Sequence, residues 1–366
     1  MKTRQSVTPV PGARNGQAPD AEYTAPRGYL RIGRTVALPV ERTAVVACLV
    51  VLAVLLIAAV ATLTMGRLGI RLADLSTAVF SGAEGKDRFV LNRLRGPRLF
   101  TGIATGAAFG LSGALFQSVT RNPLGSPDVI GLSAGAGAGA AIFALMLPGV
   151  PVSLGALLGA VLAMALVYVS TGTGFRDPGR LVVAGIGVAA IATAVIQYVV
   201  YVVERDKATV LTAYLNGSLA ARSWSDATTI WLVLLATVPL IALVARHLTI
   251  SEMGDEIASA LGSDPGRTRT AAVVLSIVLA AGAVSVAGPI AFIALTAPQI
   301  ARRVTRGAGP RLTLSALMGA VLLVLADLAA QQSPVFEDLP VGIYTMAVGG
   351  LYLGYLLTRE WRRGTL

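Results

Sequence analysis

From Ala44 to Thr64 the chain reads AVVACLVVLAVLLIAAVATLT, without a single charge. The apolar residues neither alternate with period two nor form a stripe with period 3.6. They surround the segment, which a helix tolerates in lipid or at the centre of a large protein. About 18–20 such residues cross ~30 Å of hydrocarbon. Similar runs recur along the chain, and the predicted spans are 44–64, 97–118, 129–147, 151–170, 181–203, 228–245, 270–287, 290–304, 313–330 and 341–358. A membrane barrel would show alternating strands of ~10 residues instead. The expected fold class is an all-α polytopic membrane protein with about ten transmembrane helices.

Composition agrees with this reading. Of 366 residues, 55% are hydrophobic and only 13% charged, against about 25% charged in soluble domains. The net charge of +11 does not point to nucleic acid, because the basic residues sort into alternate connections. One set holds Arg27, Arg31, Arg34 and Arg42, then Arg121, Arg176 with Arg180, and Arg246 with Arg267 and Arg269. It continues through Arg302, Arg303 and Arg306 to Arg359, Arg362 and Arg363. The other set is poor in Lys and Arg, as in PGVP and SPVFED. The positive-inside rule then puts both termini in the cytoplasm and the protein in the cytoplasmic membrane. One outer segment departs from the rule: Arg67, Arg71, Lys86, Arg88, Arg93, Arg95 and Arg98 lie between the first two spans, which suggests a docking role.

Residues 1–43 carry no apolar span and are rich in Pro, Gly, Arg and Thr. They are expected to form a disordered cytoplasmic tail, leaving 44–366 as the transmembrane domain. The apolar run starts too late and is too long for a cleavable signal.

Other chemistry is limited. One cysteine (Cys48) and one histidine (His247) cannot build an N/S metal cage, and no cofactor is expected. FSGAEGKD has Phe80 and Asp87 where a phosphate loop needs Gly and Ser or Thr, so any ATP hydrolysis belongs to another subunit. GAGAGA has Ala140 at the third glycine position of a dinucleotide fingerprint. Gly102, Gly106 and Gly110, and Gly131, Gly135 and Gly139, recur every four residues. They read as strips for close helix packing.

The polar stretch SEMGDEIASALGSDPGR (Ser251–Arg267) interrupts this pattern. Gly254 with Asp255 and Glu256 forms a helix start, the carboxylates facing the positive end of the helix dipole. Ile257, Ala260 and Leu261 form one apolar stripe. Gly262 is a stop, and Ser263-Asp264-Pro265 opens the next helix. Two turns are unstable alone, so this helix must dock, either on the protein's own membrane face or in a groove of a partner.

These residues resemble the coupling loop (about 247–269) of the FecCD-type permeases, the membrane subunits of ABC importers for iron–siderophore, haem and cobalamin. RLRGPRLFTGIATGAAFGLSGALFQSVTRNPLGSPDVIGLSAGAGAG, AGPIAFIALTAPQIARRV and ADLAAQQSPVFEDLPVGIYTMAVGGLYLGYLL extend the resemblance over nearly all of the chain from residue 44 onward. NPLGSPDVIG, EMGDEIASALG, FIALTAPQIARR and ADLAAQQ are most similar to the family's members for catecholate-type ferric siderophores such as enterobactin. The resemblance implies a BtuC-like type II ABC importer permease fold and no enzymatic activity in this subunit. It also implies ATPase subunits below, a second permease (a different one or a second copy) alongside, and an extracytoplasmic siderophore-binding protein above. It assigns ATPase coupling to Gly254, Asp255, Glu256, Ala258, Leu261 and Gly262, and binding-protein docking to Arg93, Arg95 and Arg98. Gln299 stands where the family's PHIAR motif has His.

Gln117, Gln197, Asn216 and Ser218 are candidates for the translocation path, though each reads more readily as an ordinary interhelical hydrogen-bonding residue. A chelated ferric siderophore needs weak contacts rather than metal ligands. Haem or cobalamin remains an alternative cargo. A secondary transporter would want more intramembrane acids than Asp327 provides, and a non-transport scaffold leaves the outer arginines and the docking helix unexplained.

Overall fold

The computed structural model describes residues 29–32, 36–39, 41–66, 68–82, 85–147, 149–172, 175, 177–202, 214–306, 309–333 and 339–362. The chain divides into two compact units, Met1–Val45 and Val46–Leu366. In the first, β1 (Tyr29–Ile32) pairs antiparallel with β2 (Val36–Pro39), Tyr29 opposite Pro39 and Ile32 opposite Val36. This hairpin lies within the stretch expected to be disordered. Its two short apolar runs, YLRI and VALP, are diluted in the composition of the whole tail. The expected disorder of residues 1–28 lies outside the described residues.

Among the described residues, ten helices of at least 13 residues follow the predicted order. They are α1 (Arg42–Thr64), α4 (Arg95–Thr120), α5 (Leu132–Met146), α6 (Val152–Ser170), α7 (Pro178–Val202), α8 (Trp224–Ser251), α10 (Pro265–Ala287), α11 (Ile293–Thr305), α12 (Leu312–Gln332) and α13 (Val341–Arg362). Among the described residues, three short helices connect them: α2 (Leu72–Thr77), α3 (Gly85–Phe89) and α9 (Asp255–Ala260). The outer basic segment is thus partly helical, with α2 and α3 each running into one π-helical turn. Among the described residues, seven helices are long and apolar enough to cross a membrane. α5 and α11 are shorter. Each follows a residue with left-handed backbone, Gly131 and Phe292, where the chain breaks. The end of the predicted fifth span, residue 203, lies outside the described residues. The chain is a multi-pass membrane protein.

Burial is uneven. The apolar window ending in α4 is 83% buried and that of α10 is 78%, against 22% for α1 and α7. The central helices α4 and α10 can be enclosed because their surfaces are small. Gly106 and Gly319 of α12 approach so closely that a Cβ on either would overlap the other's carbonyl oxygen, and Gly113 meets the Ala294 oxygen of α11 in the same way. α5 and α6 repeat the device through Gly135, Gly139, Gly155 and Gly159. These contacts realise both glycine strips. Polar atoms in the centre are matched across helices. Ser112 Oγ donates to Ser276 O (2.7 Å) while Ser276 Oγ donates back to Ser112 O (2.8 Å). Around them, Ile57 of α1, Ile186 of α7 and Leu243 of α8 are exposed, as a lipid-facing surface requires.

A prediction follows from the two environments of glycine. Gly113→Leu must push backbone away from backbone, an overpacking that costs about 1–3 kcal/mol or more. Gly350 of α13 has open space where a Cβ would stand, so Gly350→Leu in the isolated chain leaves stability unchanged. Thermal unfolding in detergent checks the pair, and equal melting would refute the close-packing argument.

Candidate functional site at the two ends of α4

α4 is ~39 Å long at ~1.5 Å per residue, and each of its ends carries a polar cluster. At the C-terminal end, α8 stops at Ser251 and Gly254 (φ 117°) turns the chain into α9. That backbone conformation excludes side chains with a Cβ except under strain. α9 stops as expected at Gly262 (φ 78°), where Ser263 N donates to Ala258 O (2.9 Å). Asp264 then caps α10 by accepting from Arg267 N (3.0 Å), with Pro265 in the first turn.

The side chains of α9 distribute differently from the simple stripe. Ala258 is fully buried against the protein. Ile257, Ala260 and Leu261 point outward, as does Met253. Two turns have two sides, and the smaller residue takes the crowded one. Asp255 fixes the helix: its carboxylate accepts from Arg121 Nη2 (2.5 Å) and from Arg269 Nη2 (2.7 and 2.9 Å). Arg121 also donates to Ser251 O (2.6 Å). Alongside, Glu252 Oε1 accepts from Ser118 Oγ (2.6 Å) and Arg302 Nη2 (3.3 Å). These ties join α4, α8, α9, α10 and α11. Burial acts to raise the Asp255 carboxyl, but the hydrogen bonds and charges of Arg121 and Arg269 outweigh it and hold the group below the usual carboxylate range. Glu256 and Gly262 are exposed.

At the other end of α4, the three arginines expected to dock a partner have three different fates. Arg95 is buried and donates through Nη1 to Thr62 O (2.7 Å) and Met65 O. It caps the last turn of α1, a place where a cation is favourable. Arg98 forms a forked pair with Asp327 of α12, Nε to both oxygens (3.0 and 2.9 Å) and Nη2 to Oδ1 (2.7 Å). Asp327 is 3% exposed and also accepts from Gln331 Nε2 (2.7 Å). Arg95 and Arg98 are thus each held by partners within the chain. Carbonyls at a helix end and a carboxylate on a distant helix hold them. Arg93 is exposed and makes no hydrogen bond or ion pair among the described residues. All three, with Ser218, Gln331 and Pro340, line a cavity of about 870 Å³.

The four path candidates also separate. Asn216 and Ser218 lie in an unwound segment between α7 and α8. Asn216 borders a cavity of about 210 Å³ with Asp128, Ser133 and Gly342. Gln197 is exposed on α7. Gln117 has no exposed surface, and its amide donates to Leu295 O (3.0 Å). It therefore ties α4 to α11, as the interhelical hydrogen-bonding reading expects. Arg121, Glu252, Arg269 and Arg302 were legible only as loop charges, because their partners lie far away in sequence.

Comparison with known proteins bears on this geometry. Residues 51–359 match the model of the FecCD transport family. The chain belongs to the FecCD transport family. It is 36% identical over 327 residues to the ferric enterobactin transport system permease protein FepG of Escherichia coli (strain K12), covering 88% of this chain and 99% of that one. It is 32% identical to the Fe(3+)-citrate import system permease protein YfmE of Bacillus subtilis (strain 168), with 88% and 98% covered. A solved ABC transporter described as of the metal-chelate type, in an inward-facing conformation, shares the fold. Its TM-score is 0.75 at 24% identity over 85% of this chain and 98% of that one. Gln299, which the resemblance puts where a histidine is expected, is held by neighbouring loop atoms. It is buried, donates to Pro123 O and lies 3.5 Å from the Gln117 oxygen. An amide holds this loop without a titrating group.

The Asp255 network predicts how α9 responds to pH. A carboxyl held below its ordinary range contributes above that range and loses its contribution as pH falls through the lowered value. α9 therefore stays pinned throughout the neutral range. Exposed pairs are worth ~0.2–1 kcal/mol each, and Asp255→Asn removes two of them, so it should speed amide exchange over 255–261 by about 2- to 30-fold at pH 7. Hydrogen exchange identical to the parent would show that the pairs do not hold the helix.

Proposed function

We propose that the chain is the permease subunit of an ATP-driven importer that carries ferric siderophore across the cytoplasmic membrane, with both termini and α9 on the cytoplasmic side. The observation that carries the reading is α9. A two-turn helix clamped by Asp255 on one side turns Met253, Ile257 and Leu261 to the outside. Helix-in-groove recognition uses such anchors, and a rigidly held one can transmit force. The occupant of the other side of the contact is an ATPase subunit, since this chain carries no phosphate loop.

Family membership supports the cargo class. FepG is named for ferric enterobactin and YfmE for ferric citrate, and the sequence motifs favour a catecholate chelate here. The fold would work as one of two permeases, the second a different chain or a second copy. The cavity lined by Arg93, Arg98 and Ser218 is the outer mouth, where an extracytoplasmic binding protein docks, and Asn216 and Ser218 face the path below it. Gln197 lines the path only where the second permease completes it.

Two expected outcomes test this. Ile257→Glu with Leu261→Glu should abolish co-purification of the ATPase while the chain still inserts and melts as the parent does, because the altered residues face outward. Unchanged recovery of the ATPase would overturn the coupling surface. In the reconstituted complex with its binding protein, ferric catecholate siderophore should stimulate ATP hydrolysis. Stimulation by haem or cobalamin alone would move the cargo assignment.

Arg93→Glu should slow association of the binding protein, mainly at low ionic strength, because a single exposed charge of ~0.2–1 kcal/mol acts through steering that salt screens. On-rates measured across a salt series check it. An on-rate indifferent to both substitution and salt removes Arg93 from the docking surface.

A further inference from the structure

α11 is a short strut with one end at the coupling surface. There Arg302 bonds Glu252, and Gln299 holds the Pro123 carbonyl beside Arg121. Its other end begins after Phe292, whose backbone is left-handed (φ 69°, ψ −23°). Among the described residues, the other non-glycine positions with positive φ are Arg121, Ala221, Arg306 and Arg311, so Phe292 is the bulky apolar case. Left-handed backbone is disfavoured for such a residue, and it persists only where the surroundings impose it.

The surroundings here are Gly349 of α13. A Cβ at 349 would overlap both Cβ and ring of Phe292, so the aromatic sits directly on the α13 backbone. Beside it lies a cavity of about 290 Å³, bordered by Thr296 of α11, Leu322 of α12, and Tyr344 and Val348 of α13. The Tyr344 hydroxyl is closed off from solvent and meets no hydrogen-bond partner among the described residues. A buried hydroxyl without a partner is unfavourable. Strained backbone, free apolar volume and an unpaired hydroxyl thus meet at one helix contact. Packed elements switch between discrete seats rather than deform continuously, and this contact has the parts of such a switch.

We propose that Phe292 is the positioning residue through which α11 passes movement of the coupling surface to α13, its ring leaving the Gly349 seat for the adjoining cavity. The inference rests on the reading of α9 as the ATPase-coupling surface, and it does not depend on which cargo is carried. Arg302 and Gln299 supply the grip at one end of the strut. Phe292 supplies the contact at the other.

The test uses the complete complex with its ATPase in lipid. Spectroscopic labels at Val304 of α11 and Leu351 of α13, both exposed, report the distance between the helices with and without a non-hydrolysable ATP analogue. The parent should show an ATP-dependent change, and Phe292→Gly should abolish it while still co-purifying with the ATPase. Uptake per ATP hydrolysed should fall about tenfold, inside the ~5–150-fold range of coupling between sites. Phe292→Gly combined with Gly349→Ala refills part of the contact, so it should regain melting temperature but not coupling. A parent without the distance change, a Phe292→Gly complex that moves as the parent does, or a double variant that regains coupling along with stability would each overturn the proposal. Loss of siderophore uptake specificity with the distance change intact would instead count against the cargo reading alone.

Discussion

Everything else in this protein depends on how closely α4 lets its neighbours approach. At Gly106 and Gly113 the contact is backbone against backbone, so α12 and α11 are located by main-chain geometry and not by adjustable side chains. Lipid offers no hydrophobic gain for helix association, because leaving lipid for protein exchanges one apolar environment for another. Close van der Waals contact must supply the specificity. The same closeness fixes the two polar ends of α4 relative to one another. Arg95 and Arg98 at one end, and Gln117, Ser118 and Arg121 at the other, are carried by one helix that has no room to bend.

The charged pairs at those ends do different jobs because they sit in different dielectrics. Arg98 and Asp327 are largely withdrawn from water, in a fork geometry that satisfies both carboxylate oxygens. Such a pair is expensive to break and registers α12 against α4. Asp255 is half exposed between Arg121 and Arg269. Each of its bonds is weak alone, and their combined effect is to orient a helix too short to persist unaided. An anchor that is weak per bond but shared among four elements can hold α9 firmly and still yield to a partner.

The helices, their order and the docking helix were legible because each is a local pattern: an apolar run, a glycine spacing, or a cap such as Asp264-Pro265. The α5 and α11 breaks were partly legible, since Gly131 and the AGPIAF stretch interrupt apolar runs. What the sequence could not disclose is pairing at long range. Arg98 finds Asp327 across 229 positions and Arg121 finds Asp255 across 134, so outward-looking arginines and a lone intramembrane acid were in fact partners. Gln117 shows the same limit: a glutamine in a span reads alike whether it faces a path or the Leu295 carbonyl, so the sequence could name the interhelical bond but not its partner. Arg93, by contrast, is exposed and makes no hydrogen bond or ion pair among the described residues.

The remaining question is which part of a bundle so tightly registered can rearrange, and the backbone bears on it. Helix interiors satisfy their own hydrogen bonds and expose only side chains, whereas breaks expose amides and carbonyls that lipid cannot serve. Three breaks meet here and serve each other. Ser218 N donates to Ala287 O (2.8 Å), Gly342 N donates to Gly217 O (3.0 Å), and a Cβ at Gly288 would overlap the Tyr214 oxygen. Discontinuous helices converging in this way mark transport sites, since irregular backbone is tolerated only where it is buried in protein or lines a cavity. Asn216 stands at this convergence beside one cavity, and Ser218 borders the separate cavity that Arg93 also lines. The rigid part of the molecule is thus the part made of unbroken helix around α4. The part able to rearrange is the part where α10 ends, α11 begins and α13 starts.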